Sequence, residues 1–427
     1  MNLVIRGGRN LDVRTNEFEI RDVFVIDGRL AAEEGALGVN AFDIEIDARG
    51  KWIFPGLIDL CARFGGVIDQ NLELAQREFA AMSSGGITDV VISPDEKLFL
   101  DDSSEVEMLL RRSDRFASTR VHINGAMTKS LGVDLLSEMQ ELKRSGCFGV
   151  SLGQAPVPDP KTLLSLMQYA KTMNLPIFIS PRDKSFYDDE VMFSGDRAIR
   201  LGLPSVPNFV EAIAVSTILY CAENSGVQIH FSEISTALAV DLIRQAKSKG
   251  MSVTCDTTIN HLHLSDADME DFDCRYKLRP PLASPKDRLS IREGLRDGTI
   301  DAISSGHSPT SDDDKNLPFG EASFGASGFE LLLALVIKWA TEDEVSIPFA
   351  LSKVTTGPAK ILSMPSVSTT EEGAPANLCI FDPDHHWTVD CSNLKSSSKW
   401  TPFSGETIRG QVHQVISDGK LIYSENN

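Results

Sequence analysis

Eight short runs rich in β-branched residues alternate with longer amphipathic stretches through the middle of the chain, and this alternation constrains the fold most strongly. The runs are 53–60, 87–93, 120–124, 148–152, 176–180, 228–232, 251–256 and 300–304. The stretches with helical spacing include 72–82, 135–142, 163–173, 209–221 and 237–247. A repeat of this kind predicts a parallel sheet covered by helices, and eight strands are the number that closes a TIM-type (β/α)8 barrel. A doubly wound open sheet is the structural alternative.

The two ends of the chain have a different pattern, in which apolar and polar residues alternate between glycine-containing turns. The segments are 2–6, 22–27, 42–47, 378–382 and 410–423. We predict that they form antiparallel strands of one small β-sandwich, built from 1–52 and 365–427, beside a barrel of 53–364. The predicted exposed loops are 14–17, 31–39 and 366–376.

Charge and cysteine content argue against several classes of protein. The 41 basic and 61 acidic residues give a net charge of -20, which disfavours nucleic acid or an anionic membrane as the main partner. The longest apolar run, Phe329 to Ile337, is shorter than the roughly 20 residues of a membrane span, so we predict a buried helix. Seven scattered cysteines without a C-x-x-C pair, and a start without a signal-peptide pattern, indicate the cytoplasm.

An ordered set of short motifs extends over nearly the whole chain. The motifs include Pro55-Gly56-Leu57-Ile58-Asp59-Leu60, Gly85-Gly86-Ile87-Thr88-Asp89, Tyr276-Lys277-Leu278-Arg279-Pro280-Pro281 and Gly357-Pro358-Ala359-Lys360. Together they resemble the dihydroorotases of the amidohydrolase superfamily, especially the longer bacterial type. The resemblance implies reversible ring closure of carbamoyl aspartate to dihydroorotate, driven by a metal-activated hydroxide.

The family's metal positions hold residues that do not suit a metal. The His-x-His pair, a bridging carboxylate, two later histidines and an aspartate fall on Cys61, Arg63, Gly153, Ser180, Glu233 and Gly306. Because a guanidinium stays protonated, Arg63 would repel a cation. We therefore expect no metal and no other cofactor, with Arg63 and Glu233 forming a buried ion pair where the cation would lie.

The family's substrate positions are changed as well. They fall on Gly65, Asp95, Arg279 and Thr310, where the family has an arginine, two asparagines and a histidine. An arginine fork binds a carboxylate with two hydrogen bonds and glycine cannot, so we expect the family's substrate recognition to be lost with the metal.

Other polar residues near the predicted barrel mouth leave alternatives open. Asp59, Asp256 and His307 could line a residual pocket, and His307 with Cys61 and Glu233 could form a new zinc site. We favour hydrogen-bonding roles for His307 and for the inherited loop residues 261 and 263. The charge run 312–315 is predicted to be a solvated loop tip.

The resemblance and the substitutions together lead to one preferred hypothesis and two alternatives. We predict a pseudo-enzyme: a non-catalytic dihydroorotase homologue, without catalytic residues. Similarity to such bacterial proteins implies a structural role in pyrimidine biosynthesis, in an oligomeric complex with aspartate carbamoyltransferase. The alternatives are an active cyclic-amide hydrolase with an altered or absent metal site, and a small-molecule sensor with Arg63 and Arg279 as anion hooks.

Overall fold

Strands and helices alternate along most of the chain. The structure is a computed structural model that describes residues 2–32, 42–64, 71–116, 119–132, 135–186, 190–269 and 271–425. The strands in this part of the chain are β1 (Leu3–Arg6), β2 (Arg9–Asp12), β3 (Glu17–Ile20), β4 (Val23–Ile26), β5 (Arg29–Ala31), β6 (Ile44–Asp47), β7 (Trp52–Pro55), β8 (Leu57–Ala62), β9 (Ile87–Ile92), β10 (Arg120–Ala126), β11 (Cys147–Ser151), β12 (Ile177–Ile179), β13 (Met192–Phe193), β14 (Ser205–Val206), β15 (Ile229–Phe231), β16 (Val253–Thr258), β17 (Ala302–Ser304), β18 (Leu378–Thr388), β19 (Thr407–Ser417) and β20 (Lys420–Ser424). The α-helices are α1 (Leu72–Ser84), α2 (Ser103–Phe116), α3 (Met139–Arg144), α4 (Pro160–Thr172), α5 (Asp196–Leu201), α6 (Phe209–Ser225), α7 (Ala237–Ser248), α8 (Ile259–His263), α9 (Pro285–Arg296), α10 (Asp312–Lys315), α11 (Leu332–Glu342), α12 (Ile347–Ser352) and α13 (Thr356–Ile361).

Eight parallel strands form a nearly closed barrel. They pair in the order β8, β9, β10, β11, β12, β15, β16 and β17. The last strand returns to the first, where the N–H of Arg63 donates to the carbonyl of His307 at 3.0 Å. The predicted (β/α)8 barrel is therefore confirmed, and the doubly wound alternative is wrong.

Local sequence signals begin the helices that cover the barrel. Ser284 precedes α9, where its hydroxyl accepts from the N–H of Asp287 while the Asp287 carboxylate accepts from the N–H of Ser284. Pro285 follows as the first helical residue, where no backbone donor is needed. Asp159 caps α4 ahead of Pro160, where its side chain accepts from the N–H groups of Lys161 and Thr162. These caps fix the helix starts and so the length of each loop at the carboxyl end of the preceding strand.

The amino end of the barrel is closed by packing. Apolar side chains from four strands form one buried cluster with residues of α13; it contains Ile58, Leu60, Val91, Phe178, Ala302, Ala359 and Ile361. The N–H of Ile58 also donates to the carbonyl of Val354, just before α13. Because this end is filled, a ligand can reach the barrel interior only from the carboxyl end of the strands.

Strands from both chain ends build two further sheets beside the barrel. Their orders are β5-β4-β1-β6 and β20-β19-β18-β7-β2-β3.

Two predictions about the strands of this region are wrong. The run 53–60 divides, because β7 pairs with β18 and β2 while β8 enters the barrel. In addition, β1 pairs with β6 and β2 with β7 in parallel, since alternation fixes the buried face of a strand but not the direction of its neighbour. The boundaries between the two predicted domains stay a prediction.

Some local elements differ from the sequence predictions. Strands β2, β3, β5, β13 and β14 were not predicted, and the helix expected over 135–142 begins only at Met139. The apolar run that begins at Phe329 forms a short 3₁₀ turn followed by α11, and its residues are buried, as predicted. No helix in the described ranges combines the length and apolar character needed to cross a membrane.

Candidate functional site

A buried ion pair occupies the carboxyl end of the barrel. Arg63 directly follows β8, and Glu233 follows β15 by two residues. The two guanidinium Nη atoms of Arg63 donate to Oε1 and Oε2 of Glu233 at 2.9 and 2.7 Å. The side chains are 3% and 1% exposed, so water screens this pair very little. The structure thus contains the predicted pair, in the two-bond geometry that is strongest for arginine and carboxylate.

Neighbouring polar groups complete the surroundings of Glu233. Ser180 donates from its hydroxyl to Oε2 at 3.1 Å, and the backbone N–H of Glu233 donates to Asp256 at 2.9 Å. Burial opposes ionisation of Glu233, but Arg63 and Ser180 together hold its pKa below the ordinary value. Burial likewise opposes the charge on Arg63, and Glu233 more than compensates by raising its pKa. Both groups are therefore charged, and each stabilises the other's charge.

Two more carboxylates lie close by and are held by other partners. Asp59 accepts from the N–H of Ser305 at 3.0 Å and from the Ser305 hydroxyl. Its burial raises its pKa to about 6. Asp256 contacts His230 Nε2 through Oδ2 at 2.9 Å. The Cys61 thiol is also buried, which raises its pKa well above the usual value and keeps it protonated.

Two of the positions that the resemblance matches to metal ligands are glycines with left-handed backbone. Gly153 has φ of +58° and Gly306 has φ of +61°. A Cβ on Gly153 would collide with the carbonyl oxygen of Pro94, and one on Gly306 would lie 3.0 Å from Cβ of Thr258. A carboxylate side chain at either position would therefore require the backbone to move.

His307 does not face the ion pair. Its Nε2 lies 3.0 Å from Oε2 of Glu78 on α1, and its Nδ1 accepts from the N–H of Gly328 at 3.2 Å. The ring also stacks on Phe329, with ring centroids 3.7 Å apart. Both His307 and Glu78 are fully buried. His307 is thus directed away from the residual pocket for which it was one candidate, and it joins the barrel to α1 through Glu78.

The two other histidines considered as ligands are hydrogen-bonded to neutral groups. His261 Nδ1 lies 2.8 Å from the hydroxyl of Thr258, and His263 Nε2 lies 2.9 Å from the carbonyl of Leu335. Burial lowers both pKa values, that of His263 to about 3. Neutral, hydrogen-bonded imidazoles of this kind fit the structural role that we predicted for them.

The substrate positions carried over from the family hold side chains that are engaged with partners of this chain or buried. Arg279 closes the mouth: its guanidinium carbon lies 4.0 Å from the ring centroid of Phe324, and it pairs with Glu96 at 3.1 Å. Asp95 accepts from two backbone N–H groups of its own loop, and Thr310 is buried. Gly65 lies outside the described residues.

The cavity that remains at the barrel mouth is very small. Its volume is about 10 Å³. The lining residues are Arg63, Gln154, Glu233, Thr258, Asn260, His261, Leu278, Arg279, Gly306, Ser308, Phe324 and Gly325. A space of this size holds about one water molecule. Asp59 and Asp256, which were candidates for a residual pocket, are not among the lining residues.

The closing residues were missed by sequence reasoning. Gln154 donates from Nε2 to the carbonyl of Arg279 at 2.9 Å, and Phe324 covers the same arginine.

The run 312–315, predicted to be a solvated loop tip, is the short helix α10. Its Lys315 is buried, and Nζ donates to three backbone carbonyls at 2.7 to 3.1 Å, two of them in the 323–325 segment. The sequence signal for this contact was the single lysine that follows three aspartates. Within the run 312–315, Lys315 is the one buried side chain.

The residues present do not fit the metal that the family implies. Across the part of the chain that the structure describes, no three His, Cys, Asp or Glu side chains are arranged to hold a metal ion. Cys61, Glu233 and His307 therefore do not form the alternative zinc site. Both oxygens of Glu233 are occupied by Arg63, whose fixed positive charge opposes a second cation.

Comparison with known proteins identifies the family. The sequence model of the amidohydrolase family matches residues 52–422. This chain belongs to the amidohydrolase family. The amidohydrolase is 34% identical over 425 residues to a dihydroorotase of Geobacter metallireducens, covering 99% of this chain and 100% of that protein. It is 33% identical over 429 residues to a dihydroorotase of Geotalea daltonii, with complete coverage of both.

Solved structures show the same fold. An L-hydantoinase (dihydropyrimidinase) from Arthrobacter aurescens superposes with a TM-score of 0.85 at 21% identity, covering 99% of this amidohydrolase and 96% of that chain. A dihydropyrimidinase from Brevibacillus agri gives a TM-score of 0.83 at 19% identity, covering 100% and 96%. At these identities the likeness establishes the barrel and its flanking sheets alone.

These findings correct our expectation that the protein is not an enzyme. Relatives that match along their whole length are named as dihydroorotases, which points to a cyclic amidohydrolase. The expectation was wrong because substitutions at the metal positions indicate only that the site does not suit the family's metal ion. They do not show that no substrate reacts there.

Proposed function

We propose that this amidohydrolase is a dihydroorotase-like hydrolase of cyclic amides, with an altered site that has no resident metal. The observation that carries the proposal is the 34% identity to a dihydroorotase over nearly all of both chains. The closed amino end of the barrel supports it, since it leaves the carboxyl end around Arg63 as the route to the interior.

Arg63 has an unused donor that suits such a substrate. Its Nε is buried and has no hydrogen-bond partner among the described residues, while both Nη atoms are bound to Glu233. Leaving a buried charged donor unpaired costs roughly 1–3 kcal/mol, so an acceptor oxygen placed there would be favoured. A ring carbonyl or a carboxylate of a cyclic ureide offers that oxygen. In the proposed complex, Arg63 would therefore bind and orient the substrate.

Binding requires the mouth to open. A cavity of about 10 Å³ is far below the roughly 300 Å³ at which pockets for small molecules begin. The Arg279–Phe324 stack and Gln154 form the cover, and they lie on loops rather than on barrel strands. Displacing these three side chains would expose Arg63 without disturbing the barrel.

The test is an assay in both directions on carbamoyl aspartate and dihydroorotate, with metal content measured on the same purified protein. Hydantoin and dihydrouracil extend the panel to other cyclic amides. We expect turnover that persists after a chelator treatment and that is lost in Arg63→Ala. Arg111→Ala, at an exposed position on α2, is the matched control and should keep full activity. No turnover of any of these substrates would refute the proposal.

A second candidate function is assembly with aspartate carbamoyltransferase, which rests on the resemblance described above. The filled mouth favours it, because a role in holding another enzyme's subunits would use the outer surface of the barrel and no open pocket. This role neither requires nor excludes turnover. Co-expression with the carbamoyltransferase of the same organism should give co-elution and altered carbamoyltransferase activity. Separate elution with unchanged activity would exclude it.

A further inference from the structure

A groove lies between helix α1, the end of helix α2 and β20, the outermost strand of its sheet. Its volume is about 480 Å³, within the range of roughly 300–1,000 Å³ that is common for small-molecule sites. We call it the β20 groove and define it by Phe79, Arg115, Phe116, Lys395 and Tyr423. None of these five residues lines the cavity at the barrel mouth, so the groove is a separate site.

The described lining of the β20 groove contains two cationic side chains and no carboxylate. The cations are Arg115 and Lys395, and the other lining residues that the structure describes are uncharged. Neither cation forms an ion pair within the described part of the chain. In a chain with a net charge of -20, two cations without a countercharge form a local region of positive charge. This region favours a ligand that carries negative charge.

The backbone of Lys395 is held on both sides. Its N–H donates to the two carboxylate oxygens of Glu330 at 2.9 and 3.0 Å, and its carbonyl accepts from Nε of Arg77 at 3.1 Å. The ammonium nitrogen of Lys395 lies 4.3 Å from the ring centroid of Tyr423. Because the lysine is already positioned by these contacts, a ligand that binds it loses less free energy in ordering the site.

Aromatic rings form a second part of the groove. Phe116 stacks on Phe79, with ring centroids 5.8 Å apart and 30° between the ring planes. Phe79 is buried and Phe116 is half-buried, so part of the Phe116 ring is open to the groove. Leu421 and Ile422 on β20 add aliphatic surface. A flat ring of a ligand can therefore pack against Phe116.

We propose that the β20 groove binds a small organic anion in which a phosphate or a carboxylate is joined to a flat ring. The anionic group accepts charge-assisted hydrogen bonds from Arg115 and Lys395, and the ring packs on Phe116. An inorganic ion would leave the aromatic surface uncovered, and a neutral ring would leave both cations without a countercharge. Nucleoside monophosphates and aromatic carboxylates both have the required chemistry.

The first test is isothermal titration calorimetry of the full-length protein with four probes. Uridine monophosphate and benzoate each join an anionic group to a flat ring, whereas uridine and inorganic phosphate each lack one of these parts. We expect one molecule of uridine monophosphate, of benzoate or of both to bind per chain, more weakly as salt is added. Uridine and inorganic phosphate should bind more weakly by roughly tenfold or more. Comparison of the first two probes shows whether the anionic group is a phosphate or a carboxylate.

Variants locate the bound probe. Lys395→Met should weaken binding by roughly tenfold or more, because one charge-assisted contact is lost. Ala80→Phe, at an exposed lining position on α1, should block the groove without a change in charge. Arg111→Gln is the matched control, since it removes an exposed charge from α2 outside the groove, and binding should persist. Far-UV circular dichroism and the melting temperature establish that each variant is folded.

A change at the barrel mouth separates this proposal from the catalytic one. The double variant Arg63→Met, Glu233→Leu alters the mouth alone, and we expect it to bind the probe as the wild-type protein does. Binding that is lost in this double variant but unchanged in Lys395→Met would place the probe in the mouth and overturn the proposal. So would the absence of binding by both uridine monophosphate and benzoate, or inorganic phosphate that binds as tightly as either.

Discussion

Phe324 and Arg279 form a stacked pair over the ion pair of Arg63 and Glu233, with 4.0 Å between the guanidinium carbon of Arg279 and the ring centroid. Both residues are half-buried and lie on loops that follow the last two barrel strands. Among the described residues, this contact between loops and the side chain of Gln154 cover the barrel interior. Access to the interior depends on a stack that side-chain rotation can open.

Removing this cover should ease substrate binding. A cation–ring contact at an exposed position contributes about 0.5–1 kcal/mol, so Phe324→Ala should lower KM by roughly two- to fivefold while kcat changes little. Phe272→Ala, at a 52% exposed phenylalanine outside the mouth, should leave both constants unchanged. Steady-state kinetics on dihydroorotate gives the comparison. A higher KM in Phe324→Ala would show that the ring contacts the substrate instead of covering the site.

Breaking the buried ion pair should destabilise the fold. Arg63→Ala leaves the Glu233 carboxylate buried without its countercharge, and we expect a loss of about 3–5 kcal/mol in the free energy of unfolding. The double variant Arg63→Met, Glu233→Leu should recover most of this loss, because neither charge is then buried. Urea denaturation measures all three proteins. Equal losses in the single and double variants would mean that packing, not charge, accounts for the effect.

The stability of the protein should depend on pH through Asp59. Burial raises its pKa from 3.8 to about 6, so between these values the folded state binds more protons than the unfolded state. The stability from this group is therefore full below about pH 4 and falls by up to about 3 kcal/mol as pH rises past 6. Asp59→Asn should abolish this part of the pH dependence. Urea titrations of both proteins at several pH values measure the free energy of unfolding. If its dependence on pH were the same in Asp59→Asn, the assignment to Asp59 would be wrong.

Metal should neither bind to the mouth nor stabilise the protein. Because Arg63 occupies both oxygens of Glu233, we expect substoichiometric zinc by elemental analysis and an unchanged melting temperature after dialysis against a chelator. The single variant Arg63→His should behave in the same way, since the other positions still lack ligands. One bound metal per chain in the wild-type protein would contradict this expectation.

Several parts of this structure follow from the sequence alone. The eight β-branched runs predict the barrel, since their spacing leaves room for one helix between strands. The resemblance places Arg63 and Glu233 at two of the family's metal positions, and their pairing follows because two buried opposite charges at one barrel end stabilise each other. The first prediction depends on local pattern, and the second depends on the resemblance.

Other parts depend on contacts that no local pattern encodes. The direction of His307 is set by Glu78 on α1 and by Phe329, which come from two distant segments. The cover formed by Arg279, Phe324 and Gln154 requires the paths of three loops. The prediction that the protein is not an enzyme was wrong for another reason. It assumed that a chain without the family's metal ligands has no catalytic activity.

The left-handed backbone at Gly153 and Gly306 limits which side chains these two positions accept. Larger residues do not readily adopt this backbone, so a metal ligand introduced at either position by point substitution would strain its loop. In the laboratory, building a metal centre at this mouth would mean transplanting whole loops from a relative.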